Sequence, residues 1–409
     1  MDKMFYNCAQ LKSLNLINFN TDKVTNMDYI FTNCKSLTSL NLINFSTNHI
    51  SNFVSMFEGC KSLIYLNVDN FNTTLATSFE SMFKSCENLK SLNLSSFNTK
   101  NAKSFENLFY DCKNLEKVDV SKFNTGNIIN MSHMFHNCRS ISSLDLSKYN
   151  TEKVIDMSYL FLNCVNLKNL DINKWKTNNV KNMEFMFKEV KSLQKINLNS
   201  FDTTKVTLMD QMFTNCEKLI SLDISNFHTP ALTSMNEMFS GCKSLLNLNI
   251  TNFDTKNIEY MYYLFNECSS LTSLSLSNFN TSKVIDMTGM FINCNSLSEL
   301  NLTNFNVISV TEMSYMFKGC KNLTKLDISK WNTINVEKMP EMFRSCYSLD
   351  FLNLSSFNTL NCKDFNDIFD ECNENLNIVI DGDKAKNLAA YVNGKVNITY
   401  IDIIQFFFK

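Results

Sequence analysis

The sequence predicts an α/β solenoid of about 14–15 repeats of 26 residues, with a parallel β-sheet on one face and short helices on the other. Three observations carry this prediction. A phenylalanine returns at a fixed step, from Phe5, Phe31 and Phe57 through to Phe343 and Phe369, and every slot of that column is filled. A cysteine follows three residues later, from Cys8 and Cys34 to Cys372, and only Val190 breaks the run. Each repeat also carries two apolar rhythms, one of period two and one of helical spacing.

The period-two rhythm marks the strand. Leu300 and Leu302 alternate with Glu299, Asn301 and Thr303, so one face is apolar and the other polar. The first strands are expected near Leu14–Asn18 and Leu40–Asn44, with later ones at the repeat step. The chain then turns through residues of the Phe305-Asn306 type. Met287, Met290, Phe291 and Cys294 follow at i, i+3, i+4 and i+7, which predicts one buried helical stripe. Helices are expected over Met131–Asn137, Met157–Asn163 and Met313–Gly319. Lys35, Lys61, Lys113, Arg139, Lys191, Lys243 and Lys321 come just after the cysteine slot, where they would complement helix C-terminal ends. A unit this thin cannot bury its own apolar side, so neighbouring units must close the core.

The Leu297-x-x-Leu300-x-Leu302-x-x-Phe305 pattern resembles the leucine-rich repeat. The continuation through Met290-Phe291, Cys294 and Leu297 is similar to the BspA-like type and to the repeat known as "Mycoplasma protein of unknown function". The resemblance runs from residue 1 to about 372. It implies a non-enzymatic scaffold that presents an extended sheet for protein binding or adhesion, as BspA-like surface proteins do. The usual leucine-rich repeat has asparagine where this chain has Phe305, and the adjacent Asn306 column is expected to take the ladder role at the turn.

Residues 1–372 are therefore read as the solenoid and 373–409 as a C-terminal cap. Met1 falls inside a repeat, so the N-terminal end reads as uncapped, with a possible contact there or further chain upstream. In the cap, Ile378-Val379-Ile380 reads as a strand, Asp383–Asn393 as a helix and residues 396–400 as a last strand. Ile403–Phe408 is apolar but too short to span a bilayer, and is expected to pack on the last repeat. No apolar run is long enough for a membrane span, and no signal peptide is visible.

The formal net charge of −2 gives no reason to expect nucleic acid. Glycine and proline are scarce, at 7 and 2 residues, and no linker interrupts the array. Fourteen of the fifteen cysteines share one apolar slot, and Cys362 fills a valine slot. Stacked equivalents about 4.8 Å apart with parallel Cβ vectors do not suit disulfides, so buried free thiols are expected.

Candidate functional residues lie on the strand. The central outward column runs Asn15, Asn41, Asn67, Asn93, Asp119, Asp145, Asp171 and onward. Such a column is expected to form a solvated, stabilising stripe of stacked amides. Asp119, Asp145 and Asp171 form weak metal candidates, since Ca²⁺ favours clustered oxygens, and His133 and His136, at i and i+3, could seed a metal pair but have no acidic or cysteine partner outside the core. Lys122, Lys148 and Lys174 follow them by three residues, which predicts charge pairing instead. The column beside it is mostly Ser or Asn, broken by Tyr65, Lys117, Lys195, Glu299, Lys325 and Phe351, the partner-binding candidates. No cofactor and no catalytic set is expected: His49, His133, His136 and His228 have no repeated nucleophile or acid beside them. Three readings stay open: a cell-surface interaction or adhesion scaffold, an intracellular scaffold favoured by the unpaired thiols, and a cation-dependent or carbohydrate-binding protein.

Overall fold

The computed structural model describes residues 1–401, which form two compact units, Met1–Val206 and Thr207–Lys409. The apolar segment Ile403–Phe408, expected to pack on the last repeat, lies outside the described residues.

In the first unit, six short strands pair two by two, all parallel and one repeat out of step. They are β1 (Ser39–Asn41) with β2 (Tyr65–Asn67), β3 (Ser91–Leu92) with β4 (Lys117–Val118), and β5 (Ser143–Asp145) with β6 (Asn169–Asp171). The strand expected near Leu14–Asn18 is not formed. In the second unit, β7 (Ser221–Asp223) pairs with β8 (Asn247–Asn249), and β9 (Glu299–Asn301) with β10 (Lys325–Asp327). A three-stranded parallel sheet follows: β11 (Phe351–Leu354), β12 (Asn377–Asp381) and β13 (Asn397–Ile401), with α1 (Lys386–Val392) between the last two. These occupy the segments read as strand, helix and strand near the C-terminus.

The repeated helices do not exist. Residues 131–137, 157–163 and 313–319 form runs of tight turns, and α1 is the one helix among the described residues. Two positions in each coil are left-handed: Tyr159 and Asn163 have φ of 58° and 60°, Tyr315 and Gly319 of 61° and 73°. An α-helix cannot pass through such residues. The hydrogen bonds show what replaces it. The N–H groups of Met287, Gly289, Phe291 and Asn293 donate to Glu312, Ser314, Met316 and Lys318 of the next coil. Those of Met290, Ile292 and Cys294 donate three residues back. Every second peptide thus bonds a neighbour rather than its own turn, which a stack of coils permits and an isolated segment does not. Met287, Met290, Phe291 and Cys294 are fully buried all the same. Without helix ends, the cations after each cysteine act differently from expectation: Lys61 and Lys113 both reach Glu87, at 2.7 and 2.8 Å.

Three side-chain ladders fill each stack. Phenylalanine rings lie nearly parallel, as at Phe109–Phe135 (5.4 Å between centroids) and Phe291–Phe317 (5.6 Å). Buried thiols of the cysteine column donate to a phenylalanine carbonyl of the preceding coil, as Cys60 to Phe31 and Cys294 to Phe265, both at 3.2 Å. Cysteine is therefore a small apolar filler with one useful donor, and every cysteine is free. Burial pushes the thiols up, Cys164 and Cys294 to about 12.

The third ladder is threonine, not the asparagine column expected. Thr281 Oγ1 donates to the Asn306 carbonyl at 2.9 Å and accepts the Asn306 N–H at 2.8 Å. Thr47, Thr73, Thr99 and Thr125 make the same pair of bonds to the residue 25 further on. The asparagines instead fold back on their own coil, as Asn280 accepts the Ser282 N–H. A buried hydroxyl can both donate and accept within one stacking distance, and that suits the ladder better than an amide.

Candidate interaction surface

The strand side of each unit is open where the turn side is closed. On the turn side of the first unit, parallel bridges run without interruption from Asn52 to Ser78, Ser104, Asn130, Asp156 and Asn182. On the strand side, ladders form only within the pairs named above. A second aromatic column lies beneath the strands. Beneath the strands its rings sit farther apart, 6.4 Å for Phe71–Phe97 and for Tyr149–Trp175. A strand ladder requires about 4.8 Å. The ring spacing exceeds that of a strand ladder under paired strands, as at β5–β6, and under unpaired ones, as at β2–β3, and consecutive strands close on one neighbour and part from the other.

Parting exposes part of the floor. Val118, Leu170 and Ile196 in the first unit, and Leu248 and Leu274 in the second, are half-buried while most inward leucines are fully buried. Shallow hollows open there. One of about 700 Å³ is lined by Asp145, Asp171, Lys168, Lys195 and Ile196. Another of about 610 Å³ is lined by Ser273, Ser275, Leu274, Glu299, Lys325 and Asp327. The sequence could not show these hollows, because every repeat carries a similar strand.

All six partner-binding candidates are exposed on this face: Tyr65 (54%) and Phe351 (50%), with Lys117, Lys195, Glu299 and Lys325. Tyr65 lies in the first unit and Phe351 in the second. Lys325 and Glu299 face each other across the β9–β10 pair at 3.7 Å, well solvated and worth little to stability.

The Asn and Asp residues of the central column share one local task. Asn15, Asn41, Asn67, Asn93, Asp145, Asn301 and Asp327 each accept, through Oδ1, the N–H two residues further on. It is a row of Asx turns rather than an amide ladder, and Asp and Asn serve equally because both offer that oxygen. Asp119 also takes the Ser121 hydroxyl at 2.7 Å and Asp145 that of Ser147 at 2.6 Å. These serines hold both carboxyls below the usual range, with Lys122 and Lys148 helping through space. Asp171 accepts the Asn173 N–H at 3.2 Å. Among the described residues no ion-pair contact joins these aspartates to Lys122, Lys148 or Lys174; Lys122 and Lys148 act on Asp119 and Asp145 only through space. Among the described residues, no group of three His, Cys, Asp or Glu side chains is arranged to hold a metal ion.

His133 and His136 come together on the turn side, Nδ1 to Nδ1 at 2.9 Å. Their planes differ by 13° and their centroids lie 5.2 Å apart, the arrangement of two coplanar rings meeting edge to edge. That is an N–H···N hydrogen bond and not a chelating pair, whose lone pairs would converge on a third point. Tyr110 flanks His136 at 4.4 Å and Tyr159 covers His133 at 4.3 Å. Burial, with His133 as neighbour, pushes His136 down to about 4. His228 Nδ1 lies 3.1 Å from the Asn226 carbonyl oxygen. The Tyr110–Tyr159–Phe185 association was missed in the sequence, although Tyr159 and Phe185 stand one repeat apart.

The description "Mycoplasma protein of unknown function, DUF285" matches residues 1–91, 63–161, 140–245, 187–305 and 290–391, nearly the whole chain. The chain belongs to that family. This is the repeat to which the Met-Phe-x-x-Cys-x-x-Leu lettering pointed. No curated protein sequence matches it. Among solved structures, a leucine-rich cell surface protein of Faecalibacterium prausnitzii A2-165 is 17% identical, with a TM-score of 0.34, covering 79% of this chain and 80% of that one. A leucine-rich-repeat protein of Leptospira interrogans is 16% identical, with a TM-score of 0.27, over 93% and 96%. TLR13, solved with a single-stranded RNA, is 18% identical with a TM-score of 0.28; the match covers 90% of this chain and 58% of that one.

Proposed function

We propose that this member of the DUF285 family is a non-enzymatic interaction scaffold of the cell-surface type, which binds a protein partner along its strand face. One observation carries the reading. Within a stack whose inward columns barely vary, the outward column beside the Asx turns changes freely, and it places Tyr65, Lys117, Lys195, Glu299, Lys325 and Phe351 in solvent. Variation on a uniform support is where selectivity resides, and exposed aromatic rings are effective anchors. The hollows beside these side chains give a partner relief to grip.

The test is a binding screen of the immobilised full chain against a panel of purified extracellular proteins, alongside Tyr65→Ala and Phe351→Ala. Retention of a partner by the native chain, weakened about tenfold or more by either change, supports the reading. Equal retention by the variants removes the two anchors from it. Failure to retain any member of the panel counts against the surface assignment.

The free thiols favour a second reading, an intracellular scaffold kept in a reducing compartment. The carboxylates Asp119, Asp145 and Asp171 are already engaged in turns, so a cation- or carbohydrate-dependent role has less to support it. Calcium titration followed by thermal melting tests that role: an unchanged midpoint rules out Ca²⁺ at this row.

A further inference from the structure

The strand face of the first unit carries two parallel rows of opposite charge: Asp119, Asp145 and Asp171, and beside them Lys122, Lys148 and Lys174. All six side chains are exposed. The aspartates are committed to their Asx turns. The three lysines form no ion pair among the described residues. Lysine pairs that do form in this unit lie elsewhere, among them Lys61 and Lys113 on Glu87, Lys84 on Glu58 and Lys176 on Glu152. Three ammonium groups in a row, left without contact partners beside three acids that face the same way, make a dipolar stripe.

Such a stripe is complementary to itself. A half-turn about a line running between the two rows lays the aspartate row of one copy over the lysine row of another, and the reverse, so both rows are matched at once. This is the requirement of an isologous two-fold interface. The wider ring spacing beneath the strands also makes the strand side of this unit the broader edge of its stack, which leaves the rows accessible to a facing surface.

We propose that the chain forms a weak, salt-sensitive homodimer through the Asp119–Asp171 and Lys122–Lys174 rows of facing copies. The contact is electrostatic and solvated, so it is screened as ionic strength rises. It sets register and orientation more than it adds affinity.

The experiment is sedimentation equilibrium of the full chain and two triple variants. Lys122→Glu/Lys148→Glu/Lys174→Glu makes both rows acidic. Asp119→Asn/Asp145→Asn/Asp171→Asn leaves only positive charge while keeping the Oδ1 acceptor each turn needs. The native chain is expected to dimerise at about 0.01 M salt, with the dissociation constant weakening about tenfold or more by about 0.15 M. Each variant alone is expected to be monomeric, and their equimolar mixture to form a one-to-one complex. A native chain that stays monomeric at low salt overturns the proposal. So does a dimer indifferent to both variants, or a mixture that fails to associate although each variant shows the native circular dichroism spectrum.

Discussion

Threonine 281 offers the sharpest test of how these coils are held together. Its hydroxyl is fully buried and serves Asn306 twice, donating to the carbonyl at 2.9 Å and accepting the N–H at 2.8 Å. Thr281→Val keeps the shape and removes both bonds. At about 0.5–1.5 kcal/mol for each bond, with the orphaned peptide adding desolvation cost, the loss should be about 1–3 kcal/mol. The chain contains its own counter-example one coil later. Val307 occupies the same column, is 2% exposed, and has no hydroxyl to offer Asn332. Val307→Thr should therefore gain up to about 1 kcal/mol by restoring the missing rung. Both positions lie in the unit Thr207–Lys409, so one urea transition reports both, with the midpoint moving at constant slope. Amide exchange at Asn306 should quicken in Thr281→Val. The exposed Thr272→Val is the control. If Thr281→Val lies within about 0.5 kcal/mol of that control, the threonine ladder is not a source of stability and the argument fails.

Three further outcomes follow from other parts of the molecule. Below pH 6.5 the unfolded chain binds a proton that folded His136, held down near 4, refuses, so stability should fall as the pH drops through that window and be full above it. The shift sets a ceiling of about 3 kcal/mol, which partial exposure and screening reduce to about 1; His136→Gln should flatten the pH profile of urea midpoints, and an unaltered slope would refute the edge-to-edge pair. In the native state only Cys8, the exposed cysteine, should react quickly with a thiol reagent, while denaturant should release all fifteen; rapid native reaction of several thiols would show that the ladder is not closed. Asp145→Asn should be nearly neutral and Asp145→Ala should cost about 1 kcal/mol, because the turn needs Oδ1 and not the charge; equal cost for both would show that the charge itself matters.

Much of the architecture was legible because repetition is a strong signal. A column such as Phe5 to Phe369 can persist only if equivalent positions meet equivalent surroundings, which requires stacking. The strands at Ser39–Asn41 and Glu299–Asn301 and the final strand, helix and strand were read for the ordinary reason that alternation and propensity agreed with burial. The helix assignment failed because Met287, Met290, Phe291 and Cys294 have the spacing of a helical stripe and also that of consecutive turns. Spacing records which side chains point inward and is silent about whose carbonyl receives each N–H. The exposed candidates from Tyr65 to Phe351 were legible by contrast with their column, whereas the hollows beside them were not.

The sequence by itself determined the period, the inward columns, the free thiols and the residues that reach solvent, since each follows from side-chain chemistry repeated at a constant step. Only the tertiary structure decided that the second half of each coil is laddered turn rather than helix, that threonine rather than asparagine carries the buried ladder, and that Lys122, Lys148 and Lys174 stand apart from the aspartates beside them. For the first two the physical reason is shared: a hydrogen bond between coils is a choice among partners some 25 residues apart, and that choice depends on how peptides stack across the gap; for the third, the aspartate oxygens are taken up by the N–H groups of their own turns.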